Sequence, residues 1–312
     1  MSKVSVIGAG NVGATVADVL AQREVCNEVV LVDIKENFAD GKALDMWEAA
    51  PIRLSDTKMI GVTNDFSATK DSDVVVITSG VPRKPGQSRD DLIGINAKIV
   101  KSVTENVIKY SPEAIIIVVA NPLDVMTYTA SLASKRPKNK VFGMAGILDT
   151  ARYRSFIAME LGVSVKDIQA LLMGGHGDTM VPLPSYTTIA GIPLTQLMAK
   201  EKIDAIVERT KKGGGEIVKL LGTSAWYAPG NAAAQMVEAI LKDQKRILPV
   251  CAYLDGEYGL KDVYIGVPAM LGKEGIEKIY EVKLNEEEQA YLTNSYNAVR
   301  EVMGILDDMK LF

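Results

Sequence analysis

Apolar positions in the first half of the chain follow two alternating patterns. Short, almost wholly apolar runs occur at Val4–Ile7, Val29–Val32, Met59–Val62, Val74–Thr78, Ile115–Val119 and Val141–Phe142. Between them, apolar residues recur at helical spacing over 11–22, 38–49, 90–109 and 122–134. A strand covered on both faces has no polar side, so such runs between amphipathic stretches predict a parallel sheet wound by crossover helices. After residue 148 the texture changes: a helix at 149–161, extended chain near 168–190, helices at 200–221 and 229–242, strands at 247–254 and 262–267, and a helix at 286–309. The chain thus reads as α/β, a doubly wound parallel sheet over residues 1–148 followed by an α+β unit over 149–312. No Pro/Gly/Ser-rich linker marks the boundary, so the two units are expected to pack together. The triplet Gly213–Gly215 reads as a helix interruption or irregular turn.

Composition narrows the chemistry by exclusion. The 312 residues are 47% hydrophobic and 24% charged, an ordinary globular balance. A net charge of -4 argues against general nucleic-acid binding or a polybasic membrane surface. No apolar run approaches the roughly 20 residues that span a bilayer. The chain enters a strand pattern directly after Met-Ser-Lys, leaving no room for a signal peptide, and a cytoplasmic location is expected. The two cysteines, Cys26 and Cys251, have no metal-ligand or disulfide spacing and read as small buried hydrophobes. Most restrictive is the count of one histidine, which excludes HExxH zinc hydrolysis and three-histidine metal sites; no metal is expected.

Three local patterns carry chemistry. The strand Val4–Ile7 runs into Gly8-Ala9-Gly10-Asn11-Val12-Gly13, a GxGxxG turn leading into a helical pattern. Gly8 permits the turn, Gly10 lets a pyrophosphate approach the backbone, and Gly13 lets helix and strand pack closely. Asp33 ends the second strand, about 20 residues further on, where a carboxylate accepts hydrogen bonds from ribose hydroxyls and repels a 2'-phosphate. This order points to NAD rather than NADP. The sole histidine lies in Gly174-Gly175-His176-Gly177-Asp178, where small neighbours let other groups come close to the imidazole. Alcohol oxidation needs such a proton acceptor, although an isolated histidine can equally be structural. Asp149 is a candidate to orient the ring or, alternatively, an N-cap of the helix that starts there. Arg83 and Arg89 sit on a Pro/Gly-punctuated loop after the fourth strand, and Arg152 follows Asp149 by one helical turn. Arginines capture carboxylates bidentately, or they are simply solvated surface.

Together the glycine turn, Arg83–Arg89, Asn121-Pro122-Leu123-Asp124, Leu148–Arg152 and Gly174–Asp178 resemble the lactate/malate dehydrogenase family, in order and over essentially the full chain. The resemblance implies a Rossmann-type NAD-binding domain and a C-terminal catalytic domain. It implies that His176 is the acid/base group oriented by Asp149. Arg152 would hold the substrate's C1 carboxylate, Arg89 would polarise its carbonyl from a mobile loop, and Asn121 would touch substrate and nicotinamide ribose. Cofactor contacts at Gly8, Gly10, Asn11, Val12, Gly13, Asp33, Asn96 and Val119 follow from the same likeness. In this family the residue at Arg83 separates substrates: glutamine faces the methyl of pyruvate, arginine the second carboxylate of oxaloacetate. Leaving one member of a buried pair unmatched costs about 3–5 kcal/mol, roughly 100- to 4,000-fold. The expected reaction is therefore reversible oxidation of (S)-malate, as in the tricarboxylic acid cycle, with lactate oxidation as the alternative. A dinucleotide-binding sensor without chemistry is the competitor from another class. A small side chain, Ser224 or Ala225, would leave room for the substrate. The faces that carry Met46, Trp47 and Met159 read as either core or subunit interface, and the family favours a homo-oligomer, a tetramer over a dimer.

Overall fold

A computed structural model describes residues 2–82 and 89–312. Its first part alternates β1 (Lys3–Ile7), α1 (Asn11–Gln22), β2 (Glu28–Asp33), α2 (Phe38–Arg53), β3 (Lys58–Thr63), β4 (Val74–Ile77), α3 (Arg89–Tyr110), β5 (Ile115–Val118), α4 (Leu123–Ser134), β6 (Val141–Gly143) and α5 (Gly146–Leu161). The parallel strands lie in the order β6-β5-β4-β1-β2-β3, the two-way winding that the alternation predicts. Successive side chains point to opposite faces of the sheet. Val74 and Val76 join one apolar cluster while Val75 and Ile77 join the other, and all four are fully buried. This two-sided burial explains why the central strands read as unbroken apolar runs.

The second part contains β7 (Ile168–Gln169), β8 (Leu172–Met173), β9 (Val181–Pro182), β10 (Thr188–Ile189), β11 (Ile192–Pro193), α6 (Leu194–Leu197), α7 (Lys200–Leu221), α8 (Tyr227–Leu241), β12 (Arg246–Asp255), β13 (Lys261–Gly272), β14 (Gly275–Ile279) and α9 (Glu286–Asp308). Here the structure adds a connection and changes one reading. The long antiparallel strands join the first sheet: β12 pairs with β6 at Cys251 and Gly143, so β14-β13-β12 continue the parallel sheet to nine strands. A Cβ at Gly143 would meet the Cβ of Cys251 at 3.1 Å, so the absent side chain lets the two strands approach at this junction. The triplet Gly213–Gly215 is no interruption, because α7 runs through it unbroken. The edge strand β14 escaped the apolar pattern because Glu277 and Lys278 leave it few apolar positions.

The faces left open between core and interface divide. Met46 packs against the core, whereas Trp47 on α2 and Met159 on α5 are 42% and 69% exposed.

Candidate active site

The carboxyl ends of the parallel strands carry the glycine turn. Gly8 has φ +107°, a conformation that a side chain disfavours, and a Cβ there would lie 2.7 Å from Thr78 Oγ1. A Cβ at Gly13 would overlap the carbonyl oxygen of Gly8, so the helix can sit on the turn only because that position is bare. Gly10 differs, with nothing within 4 Å of its Cβ position. It is the N-cap of α1, and no side chain caps that helix, so the first-turn N–H groups are available to an anion. Asp33, at the end of β2, accepts the Ala9 N–H at 2.7 Å and the Lys35 N–H at 2.9 Å. These bonds fix the carboxylate beside the turn and leave lone pairs for further donors. An open glycine, an uncapped helix start and a fixed acid at the second strand suit a dinucleotide's pyrophosphate and ribose, and NAD fits these residues.

Two cavities meet here. One of about 270 Å³ runs from Gly10–Gly13 past Thr78 and Asn96 to Trp226; the other, about 460 Å³, reaches Arg152 and His176. Val12, Val119, Asn121, Ser224 and Ala225 line both, so they form one cleft. Asn96 is almost fully buried and works as a clamp. Its Oδ1 accepts the Val81 N–H at 2.8 Å, while Nδ2 donates to Val81 O at 3.1 Å and to Asn121 O at 2.7 Å. Its amide thus holds the segments carrying Val81 and Asn121 in place, a task that the sequence does not announce.

The catalytic candidates converge from separate elements. His176 lies in the turn between β8 and β9, and its Nδ1 is 2.8 Å from Asp149 Oδ2. Asp149 is only 2% exposed and lies in the first turn of α5, whose N-cap is Ala145; the N-cap alternative for Asp149 does not hold. Its other oxygen accepts from Arg152 at 3.1 Å. One carboxylate therefore bridges the imidazole and the guanidinium. Burial pulls the His176 pKa down, but the charge and hydrogen bond of Asp149, aided by Asp124, outweigh burial and the opposing Arg152, leaving it above its ordinary value. The glycines of α7 provide space beside Arg152: a Cβ at Gly213 would lie 3.1 Å from Arg152 Cδ, and Gly214 and Gly215 line the cavity. Arg83 and the side chain of Arg89 lie outside the described residues.

Two supports of the histidine turn had no assigned role in the sequence. Asp124, part of the Asn-Pro-Leu-Asp motif, accepts the His176 N–H at 3.0 Å. Ser295, on α9, accepts the Gly175 N–H at 2.7 Å, and no motif marks it. The turn is pinned further by a two-way backbone bridge between Gly174 and Gly266 of β13.

Comparison with known proteins places this geometry. Residues 2–143 match the NAD binding domain model of lactate/malate dehydrogenase, and residues 147–305 match its alpha/beta C-terminal domain. The malate dehydrogenase of Cytophaga hutchinsonii is 68% identical over 307 residues, 98% of each chain. The structure of malate dehydrogenase from Salinibacter ruber superposes with a TM-score of 0.95 at 59% identity, over 99% of this chain and 98% of that one. A lactate dehydrogenase from Cryptosporidium parvum, complexed with lactic acid and cofactor, reaches a TM-score of 0.94 at 41% identity, over 98% of each chain. Fold alone therefore does not separate the two substrates, but both domain models and the full-length identity agree that the chain belongs to the lactate/malate dehydrogenase family.

Proposed function

We propose that the chain is an NAD-dependent malate dehydrogenase that oxidises (S)-malate reversibly to oxaloacetate. The observation that carries this reading is the Asp149 carboxylate bridging His176 and Arg152 on the wall of a cleft continuous with the glycine turn. The full-length identity to malate dehydrogenases, and an arginine at position 83, favour malate over lactate. Residues 1–148 are assigned to NAD binding and 149–312 to substrate binding and catalysis.

The turn Gly8–Gly13 would take the pyrophosphate, Asp33 the adenosine ribose, and Asn96, Val119 and Asn121 the nicotinamide end. The chemistry that NAD supplies when bound is a hydride acceptor for C2 of malate. His176 has one ring nitrogen occupied by Asp149, which leaves Nε2 to take the hydroxyl proton. Oxidation needs the neutral imidazole, and reduction needs the protonated one. Because the His176 pKa is raised, the reducing direction keeps its acid at higher pH than a free histidine would allow. Arg152 uses NH1 toward Asp149 and turns its remaining donors to the C1 carboxylate. Arg89 polarises the carbonyl, and Arg83 pairs with the second carboxylate.

A homo-oligomer is supported by the exposed apolar side chains of Leu44 and Trp47 on α2 and Met159 on α5, and the family resemblance favours a tetramer over a dimer. Among the described residues no helix is long and apolar enough to cross a membrane. We assign the protein to the cytoplasm.

Steady-state turnover of oxaloacetate against pyruvate with NADH tests the reading; preference for pyruvate would overturn it. Arg83→Gln is expected to move the ratio of kcat/KM toward pyruvate by roughly 100-fold or more. An unchanged ratio would mean that Arg83 does not meet the substrate.

A further inference from the structure

The carboxylate of Asp124 is placed unlike an ordinary acid in the first turn of a helix. It lies in the first turn of α4, where a negative charge is favourable in any case, yet no side chain caps that helix. Instead it reaches from α4 to the histidine turn, accepting the His176 N–H at 3.0 Å through Oδ2. The approach depends on the sequence of the turn: a Cβ at Gly175 would lie 3.3 Å from this oxygen and 2.6 Å from Val299 Cγ2. The second oxygen, Oδ1, is buried without an N–H or O–H donor, and among the described residues the only donor facing this carboxylate besides the His176 N–H is the weak S–H of Cys251. An under-satisfied buried carboxylate is costly to maintain, and a structural anchor for one N–H needs no charge.

We propose that Asp124 is a positioning residue of the reaction: it sets the imidazole in the cleft through the His176 backbone, and as a second carboxylate beside Asp149 it stabilises the protonated ring. The inference rests on the acid/base role of His176 proposed above. The groups that face His176 are Asp149 and Arg152 from α5 and Asp124 from α4; Lys211 and Lys212 of α7 and Asp178 of its own turn line the same cavity. Of these, Asp149 and Asp124 favour the cation and Arg152 opposes it. Asp124 itself is faced by His176, Asp149 and the thiol of Cys251 on β12. Burial pushes its carboxyl up to about 6, against the lowering effect of His176, so its charge is present when the imidazole holds its proton near neutrality and fades in acid. Burial and Asp124 together push the Cys251 thiol well above its ordinary value, which keeps a neutral S–H rather than a competing anion at that wall.

One histidine in the chain makes the test direct, because its imidazole signals are the only ones in an NMR titration of the full chain free of tag histidines. Asp124→Asn keeps an acceptor for the His176 N–H and removes the charge. The expected result is a fall in the His176 titration midpoint of about half a unit to one unit. In kinetics, kcat for oxaloacetate reduction at neutral pH should fall about tenfold with KM within about twofold, the pattern of a contribution to the transition state rather than to substrate binding. Asp124→Ser is a second neutral acceptor should the asparagine variant not fold, and Ser295→Ala removes the other anchor of the turn without touching charge, so its midpoint should stay in place. An unshifted midpoint in either neutral variant, or in both with kcat retained, overturns the role of Asp124. A wild type that turns over neither malate nor oxaloacetate overturns the functional reading instead, and the titration separates the two failures.

Discussion

The glycine turn at 8–13 and the histidine turn at 174–178 border the same cleft, but they are built differently. The first is held by its own neighbours: β1, the start of α1, and the ends of β2 and β4 that flank β1 in the sheet. The second is a short connection between two-residue strands, pinned by Asp124 from α4, Asp149 from α5, Ser295 from α9 and Gly266 from β13. One site follows from neighbouring strands and the helix of the N-terminal sheet, and the other exists only once the whole chain has folded. The binding of a common cofactor can thus be robust, while acid/base chemistry depends on long-range assembly.

The sharpest way to break this comparison is to remove chemistry from one side only. His176→Asn is expected to lower kcat roughly 100- to 10,000-fold while the NADH dissociation constant, followed by fluorescence, stays within about twofold. Equal loss of NADH binding would show that the two turns are not separable. The converse substitution is Gly13→Ala, whose Cβ would overlap the Gly8 carbonyl oxygen. That clash involves backbone on both sides, so the turn must shift, with a cost to stability of about 1–3 kcal/mol in denaturant titration. NADH affinity should weaken about tenfold or more, since a displaced turn no longer presents its N–H groups to the pyrophosphate. Unaltered affinity would mean that the turn tolerates the displacement.

The same contrast explains what could be read before the fold was known. The six parallel strands and the glycine turn are local: apolar runs buried on both faces, and three glycines that serve three steric ends within one turn. His176 stood out as the only histidine, and the pairing of Asp149 with Arg152 is visible from helical spacing, but the Asp149–His176 bond crosses from one element to another and has no spacing to betray it. Asp124 was in view within a quoted motif, yet nothing in the one-dimensional pattern says that its carboxylate leaves its own helix for the histidine turn. Ser295 had no local signal at all. The extension of the parallel sheet by β12 through one residue pair is equally invisible, because a strand's partner is a property of topology rather than of its own pattern.

Gly213 sharpens the comparison at the smallest scale, since its triplet reads locally as a helix breaker while the structure uses it for a distant side chain. Gly in a helix interior costs about 1 kcal/mol relative to Ala, a cost α7 bears at three successive positions. The gain is room: the position is buried, and a Cβ would meet Arg152 Cδ at 3.1 Å. Arg152 can yield by a few tenths of an ångström, because its stem is flexible, but its guanidinium must then leave the position set by Asp149. Gly213→Ala should therefore hold or slightly raise the denaturation midpoint while KM for oxaloacetate rises about threefold and kcat changes less, the pattern expected when carboxylate binding is disturbed and proton transfer is not. Gly304 of α9, which has open space around it and lines neither cavity, provides the control: Gly304→Ala should stabilise its helix without the KM effect. If Gly213→Ala leaves KM where it was, the space beside Arg152 is not what keeps its guanidinium in place for the substrate.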